Sequence, residues 1–152
     1  MEVFRLTRTK FYTSLSGKGA AEKGARWNSI GLELIYTAAN RSLAMAEISV
    51  HFTLATLPTD YLMMTILIPD DVAIKKHKTS ELPADWNIFP HPISTQIIGD
   101  KFIRKNKYCV LQVPSVVTKG DFNYLINPNH LEFTKIKIIR VEAFPFDIRI
   151  FK

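Results

Sequence analysis

Apolar residues of this chain follow strand-like spacing in some segments and helical spacing in others. Short runs rich in β-branched and aromatic residues, bounded by polar or proline-containing segments, predict strands. Apolar residues that recur every three or four positions predict helices instead. The predicted strands cover residues 3–7, 33–38 and 61–69, followed by the C-terminal segments YCVLQVPS, NYLIN, KIKIIRVEAF and FDIRIF. The predicted helices cover residues 42–57 and 94–106, and residues 70–92, which contain three prolines, predict a long loop.

The balance of these elements indicates the fold class. Strands interleaved with only two helices predict an α+β fold. A length of 152 residues is large enough to bury a core without disulfides, so we expect one domain spanning residues 1–152. The single cysteine, Cys109, lies within a strand-like apolar run and is expected in the core.

The first predicted helix carries one charged residue, Glu47, between Ser42 and Thr59. Asn40 or Ser42 would cap this helix, and Pro58 sets the latest position at which it can end. Glu47 shares its helical stripe with apolar side chains that are expected to be buried, namely Leu43, Ala46, Val50 and Leu54. A buried, unpaired carboxylate is unfavourable, so Glu47 should have a partner or a chemical role. Helical spacing alone leaves open a solvated face or a local pair with His51.

A glycine-bracketed loop, GARWNSIG, precedes the second predicted strand. It places Arg26, Trp27 and Asn28 side by side, which combines a guanidinium fork, an aromatic plate and an amide. The flanking glycines allow the backbone to approach a ligand closely. Taken alone, the pattern equally fits an ordinary loop with a buried tryptophan and a surface arginine.

A second polar cluster lies near the C-terminus. Ser115 follows Pro114 at the end of the YCVLQVP run, and NYLINPNH adds Asn123 and His130 a few residues later. Strand ends often carry binding groups, although a Pro-Ser pair is commonly just a turn. The glycine pattern of a hydrolase nucleophile elbow is absent from the sequence, so a serine hydrolase is not indicated.

Charge narrows the classes of partner. The net charge of +6 and pI near 9.5 fit a nucleic acid, a phosphorylated small molecule or an acidic protein. The sequence contains no nucleic-acid reader motif, phosphate-binding glycine motif or metal-ligand spacing, so we expect no bound metal. It also lacks an apolar run long enough to cross a membrane and the apolar core of a secretory signal. We therefore expect a cytoplasmic protein without a membrane partner.

The motifs in their order resemble the RES domain, a family named for an arginine, a glutamate and a serine. The resemblance rests on Arg5 in VFRLT, then GARWNSIG, LIYTA, SLAMAEISVH, LPADW, VPSVV and NYLINP, and it extends to the closing FPFDIRIF. One departure is Ile30, where many relatives carry proline. The resemblance implies an ADP-ribosyltransferase-like fold with a central split β-sheet and a few helices.

The resemblance also implies a chemistry for particular residues. RES domains are toxins of Xre–RES toxin–antitoxin pairs that consume NAD. By this resemblance, Glu47 would hold the ribose hydroxyls and stabilise an oxocarbenium-like transition state, as in glycoside cleavage. Arg5 and Arg26 would bind the NAD pyrophosphate, and Tyr36 would stack on or hydrogen-bond the nicotinamide riboside. The remaining residues of the implied pocket are Ser115, which completes it, and Trp27 and Asn28, which line it.

We therefore expect the toxin of a bacterial type II toxin–antitoxin pair that cleaves the nicotinamide–ribose bond of NAD. The acceptor stays open among water, phosphate and a protein side chain. The implied partner is a cognate Xre-type antitoxin that covers the active site, with nucleic acid contacted only through that antitoxin and dimerisation left open. The alternatives are a non-enzymatic basic nucleic-acid-binding module, supported by the charge of +6, and an interaction domain that has lost its chemistry. The intact set of candidate residues counts against the latter.

Overall fold

The computed structural model describes residues 1–151, which form one mixed seven-stranded sheet and three α-helices. The strands are β1 (Glu2–Arg8), β2 (Ile35–Ala38), β3 (Tyr61–Leu67), β4 (Ile74–Lys76), β5 (Val110–Pro114), β6 (Phe122–Ile126) and β7 (Lys137–Ala143). The helices are α1 (Lys18–Lys23), α2 (Arg41–Ser49) and α3 (Ile93–Lys105). The α+β class predicted from the sequence is confirmed. Within residues 1–151, no helix has the length and apolar character needed to cross a membrane.

The sheet is joined weakly at its centre. Its strand order is β4-β5-β6-β2-β1-β3-β7, and every neighbouring pair is antiparallel except the parallel pair β4 and β5. β1 pairs with β3 along its whole length, from Glu2 to Arg8. It pairs with β2 at one position only, Phe4 opposite Ala38. The two halves of the sheet therefore diverge between β1 and β2, which gives the expected split sheet and opens a cleft there.

Helix α2 covers one side of this cleft. Its first turn is capped by Asn40, whose side chain accepts a hydrogen bond from the Leu43 backbone N–H at 2.8 Å. Leu43 is fully buried against Phe4, Leu6 and Met63. The apolar stripe predicted for this helix is partly wrong, because its distal members Val50 and Leu54 are 63% and 51% exposed. The helix ends at Ser49, so these later positions no longer follow its rotation.

Helix α3 packs on the other half of the sheet. Its helical spacing predicts that Ile97, Ile98, Phe102 and Ile103 face inward. Phe102 and Ile103 are buried as predicted, whereas Ile97 is exposed. The helix begins after Pro92 and ends at Lys105, and the following residue, Asn106, adopts the left-handed conformation with φ of 48°. Its last turn is basic, which suits the negative end of a helix dipole.

Three short elements differ from the sequence-based expectation. The segment FDIRIF was expected to be a strand, but residues Ile148–Ile150 form a 3-10 helix. Asp147 caps that turn by accepting a hydrogen bond from the Arg149 backbone N–H at 2.9 Å, so local bonds replace a strand ladder. Phe146 packs edge-to-face on the rings of Tyr61, Phe144 and Phe151. α1 lies in a segment without a predicted element, and β4 lies in the long loop predicted for residues 70–92.

Candidate active site

A cavity of about 340 Å³ lies where β1 and β2 diverge. Its walls come from β1, the loop at residues 24–31, β2, α2 and the end of β5. Of the seven residues expected at the site, the structure brings five to its walls: Arg5, Arg26, Trp27, Tyr36 and Glu47. The other two, Ser115 and Asn28, are buried and support residues of the cavity from behind.

Glu47 and Ser115 form a hydrogen-bonded pair. The Ser115 hydroxyl donates to Glu47 Oε1 at 2.8 Å. The same hydroxyl oxygen accepts the backbone N–H groups of Val117 and Thr118, both at 3.1 Å. Because a hydroxyl has one proton, these two acceptances direct that proton to Glu47. The turn after β5 therefore orients the carboxylate. Glu47 makes no ion pair within residues 1–151, so the local pair with His51 that helical spacing left open does not form.

Arg5 is a partly buried cation on β1, opposite Met64 of β3. Its guanidinium donates one hydrogen bond, from Nη1 to the Ser16 carbonyl at 3.2 Å. Burial lowers the pKa of Arg5, but an arginine remains charged at any physiological pH. No carboxylate within residues 1–151 forms an ion pair with it. A partly buried guanidinium with donors to spare is suited to bind an anion in the cavity.

Arg26 supplies the second cation from the opposite wall. Its Nη1 donates to the carbonyls of Trp86 and Ile88, at 2.8 and 2.9 Å. Burial lowers the pKa of Arg26, and the negative charge of Glu47 opposes that shift. Within the described residues Arg26 also lacks an ion pair, so two arginines and one carboxylate give the cavity a net positive charge.

The loop that carries Arg26 is held from inside by Asn28 and Tyr36. Asn28 is fully buried, and its Nδ2 donates to the carbonyls of Ala20 and Leu32 at 2.8 and 3.0 Å. Its Oδ1 accepts the Tyr36 hydroxyl at 2.7 Å, and that hydroxyl accepts the Trp27 backbone N–H at 3.0 Å. Burial raises the pKa of Tyr36, so its hydroxyl stays protonated. Tyr36 therefore offers its ring to the cavity, while Asn28 lies outside the lining.

Helix α3 clamps the same loop from the outside. Gln96 Nε2 donates to the carbonyls of Ala25 and Asn28, at 3.0 and 3.2 Å. The buried carboxylate of Asp100 accepts both the backbone N–H and the hydroxyl of Ser29. At Gly99, a Cβ atom would lie only 1.6 Å from the Trp27 carbonyl oxygen, so only glycine permits this approach.

Sequence reasoning missed this clamp. One signal was available: a glycine and an aspartate interrupt the otherwise core-facing part of the predicted helix at residues 94–106. It also missed His51, which lines the cavity one turn after Glu47. The two residues of the C-terminal polar cluster lie in different places. Asn123 lines the cavity. His130 instead caps a 3-10 helix by accepting the Glu132 backbone N–H at 3.1 Å.

Comparison with known proteins identifies relatives of this chain over nearly its whole length. A protein called Toxin Res from Photorhabdus laumondii is 34% identical over 154 residues, covering 100% of this chain and 98% of that protein. A protein called Prs ADP-ribosylating toxin from a Sphingobium species is 32% identical over 147 residues, covering 95% and 91% respectively. A further Toxin Res, from Yersinia enterocolitica, is 31% identical over 152 residues, covering 99% of both chains.

A solved structure shares the fold of this protein, and a family profile matches its sequence. The crystal structure of the M. tuberculosis MbcT–MbcA toxin–antitoxin complex contains a chain that superposes with a TM-score of 0.77. That match covers 95% of this chain and 84% of the other at 20% identity, so it shows the shared fold. The RES domain profile matches residues 2–148. Because this match and the three relatives each span nearly the entire chain, the protein belongs to the RES domain family.

Proposed function

We propose that this protein is an NAD-consuming toxin of a bacterial toxin–antitoxin pair, which cleaves the bond between nicotinamide and ribose. The observation that carries the proposal is the carboxylate of Glu47, oriented by Ser115 in a cavity that holds two arginines without ion pairs. The relatives named as toxins, one of them ADP-ribosylating, support the same activity. No comparable support favours the non-enzymatic nucleic-acid-binding alternative.

The two arginines suit the pyrophosphate of NAD. Arg5 and Arg26 lie on different walls of the cavity, so together they can bind a diphosphate between them. Guanidinium–phosphate hydrogen bonds are charge-assisted, and they strengthen in a partly buried site. The ring of Tyr36 and the side chain of Trp27 provide the aromatic surface for the nicotinamide riboside.

Glu47 is then the group that acts on the reacting sugar. Cleavage breaks the bond between C1′ of the ribose and the nicotinamide nitrogen, and the electron pair leaves with neutral nicotinamide. The ribose passes through an oxocarbenium-like state, which a fixed carboxylate stabilises electrostatically. An acceptor adds to C1′ and loses its proton. Ser115 is a positioning residue here, because it acts by holding the Glu47 carboxylate.

The decisive test follows both the loss of NAD and the fate of ADP-ribose. Purified protein is incubated with NAD in buffer, in buffer with phosphate, and with cell lysate, and the products are identified by mass spectrometry. Free ADP-ribose indicates water as the acceptor, a phosphorylated product indicates phosphate, and a labelled protein indicates a side chain. Unchanged NAD in all three reactions would contradict the proposed function. A Glu47→Gln sample provides the inactive reference, and Glu2→Gln, an exposed carboxylate of β1, is the matched control.

We further propose a cognate antitoxin as the physiological partner, since a free NAD-consuming enzyme would damage the cell that makes it. The cationic cavity suits an inserted segment that carries carboxylates, and an Xre-type antitoxin is the partner that family membership suggests. On this proposal the protein acts in the cytoplasm and contacts DNA only through the antitoxin. The proposal is compatible with either a monomer or a dimer of the toxin. Expression of the protein alone should stop growth and lower cellular NAD, and co-expression with the adjacent reading frame should restore both. Normal growth and NAD on expression alone would contradict the toxin role.

A further inference from the structure

A second cavity, of about 390 Å³, lies on the far side of α3 from the loop that carries Arg26. Its floor contains Ile98, Phe102 and Tyr108. Around this apolar floor stand cationic or imidazole side chains from four parts of the chain: Lys75 on β4, His77 just after it, Lys101 and Lys105 on α3, and Lys107 beyond the helix. We call this set the lysine cavity.

The lysine cavity contains positive charge without compensating carboxylates. None of its four lysines forms an ion pair within residues 1–151. Glu81 lies beside His77: its Oε2 is 3.7 Å from His77 Nδ1 and accepts the Lys78 backbone N–H. The carboxylate of Asp100, next to Lys101 on α3, is hydrogen-bonded to Ser29. The helix dipole favours a cation such as Lys105 in the last turn of α3, but it does not account for Lys75, which comes from a separate strand. Convergent like charges repel each other, and a bound anion would relieve that repulsion.

The pKa of His77 is affected by the positive charge of the lysine cavity. Its Nδ1 is buried and has no hydrogen-bond partner. Burial and then the neighbouring Lys75 lower the pKa of His77, with Glu81 opposing that shift. This environment therefore favours the neutral form of the imidazole. An anion placed among the lysines would reverse this influence and raise the pKa of His77.

We propose that the lysine cavity binds a short polyphosphate chain, either free or carried by a nucleoside. The assignment rests on the convergence of four unpaired lysines on a concave site of a volume typical of small-molecule pockets. Nucleic acid is the weaker fit, because the lysines converge on one cavity instead of following an extended track. This proposal is independent of the NAD-consuming activity.

The site is linked to the first cavity through α3. Ile98, Lys101, Phe102 and Lys105 follow the helical stripe that faces the lysine cavity. Gln96, Gly99 and Asp100 of the same helix hold the loop that carries Arg26 and Trp27. One rigid helix therefore separates the two cavities, so a ligand in the lysine cavity is positioned to influence the loop.

The test uses the histidine side chains as separate reporters in one NMR titration. His77 lines the lysine cavity and His51 lines the first cavity. Full-length protein is titrated with inorganic triphosphate and, in a parallel experiment, with ATP. We expect the imidazole signals of His77 to move and its pKa to rise. Equal binding of the two ligands supports a site for the phosphate chain alone, and tighter ATP binding supports one that also contacts the nucleoside.

Charge-reversal variants make the test specific. Lys101→Glu with Lys105→Glu should weaken triphosphate binding by about tenfold or more, since charged hydrogen bonds contribute on that scale. The control pair Lys18→Glu with Lys137→Glu carries the same change in net charge at exposed positions on α1 and β7, and it should retain the binding. Equal weakening in both pairs, or a response of His51 without one of His77, would overturn the proposal. So would a short DNA duplex that binds the cavity more tightly than triphosphate with a steep salt dependence.

Discussion

The two walls of the first cavity are built in different ways. The strand wall consists of β1 and α2, where Arg5 and Glu47 project from regular secondary structure. The loop wall consists of residues 24–31, where Arg26 and Trp27 sit on irregular backbone. The strand wall is positioned by a ladder that runs the length of β1. The loop wall is positioned by side chains from elsewhere, namely Asn28, Tyr36, Gln96 and Asp100.

This difference separates the residues expected to act on the substrate from those that hold the loop in place. Arg5 and Glu47 of the strand wall can be altered with little effect on the fold, because the backbone ladder of β1 and the apolar packing of α2 do not depend on these two side chains. Among the residues that hold the loop wall, Asn28, Gln96 and Asp100 lie outside the cavity lining, yet they decide where Arg26 and Trp27 lie. Mutations in the two walls should therefore differ in how far activity and stability change together.

The largest effect on turnover is expected at the strand wall. Glu47→Gln keeps the size of the side chain and can still accept the Ser115 hydrogen bond, but it removes the charge that stabilises the oxocarbenium. We expect kcat for NAD cleavage to fall by about 10²–10³-fold, the scale seen when one electrostatic stabiliser is removed. The melting temperature should stay close to wild type. Normal turnover in the folded variant would remove Glu47 from the chemistry.

The two arginines should differ in their effect on stability, although both bind the substrate. Arg5→Ala and Arg26→Ala should each weaken NAD binding by ~1.5–3 kcal/mol, the range for a charged hydrogen bond, measured by calorimetry in the Glu47→Gln background. Arg26→Ala should also lower the melting temperature, because it releases the carbonyls of Trp86 and Ile88. Arg5→Ala should lower it less, since Arg5 makes a single longer bond. Unchanged NAD affinity in both variants would contradict the pyrophosphate assignment.

Substitution at Gly99 should disturb the loop wall without touching the cavity. A Cβ atom there would collide with the Trp27 carbonyl oxygen, so Gly99→Ala should cost ~1–3 kcal/mol or more of stability, as overpacking does. Urea denaturation measures that cost, and hydrogen exchange should show faster opening of residues 24–31. Gly19→Ala on α1 is the matched control, because a Cβ atom there meets nothing within 4 Å. A Gly99→Ala protein as stable as this control would mean that α3 does not set the position of the loop.

The smallest effect on turnover is expected at Tyr36. Tyr36→Phe keeps the ring that faces the cavity but removes the hydroxyl that joins Asn28 to the Trp27 backbone. Leaving those buried groups without a partner should lower stability by ~1–3 kcal/mol. NAD cleavage measured well below the melting temperature should fall much less than in Glu47→Gln. A loss of turnover equal to that of Glu47→Gln would instead assign the hydroxyl a direct chemical role.

Local pattern was sufficient for much of the fold and for part of the site. Short runs rich in β-branched and aromatic residues identified β1, β2 and β3. The polar residues Asn40 and Ser42 indicated the start of α2, and the structure shows Asn40 as its N-cap. Glu47 stood out because it was the only charge in its apolar segment. The strand predicted at FDIRIF failed because a six-residue alternation is also satisfied by a turn whose aromatic ends pack on neighbouring rings.

The sequence by itself determined which residues were available for chemistry: a carboxylate alone in an apolar segment, two arginines and a serine at a strand end. Only the tertiary structure decided their roles, because it brings Ser115 to Glu47 across 68 positions and α3 to the loop across about 70. It also moved Asn28 from the expected lining to the support behind it, since a buried amide bonds whichever backbone groups the fold places around it. Such long-range partners depend on how the strands are ordered in the sheet, and local sequence periodicity does not determine that order.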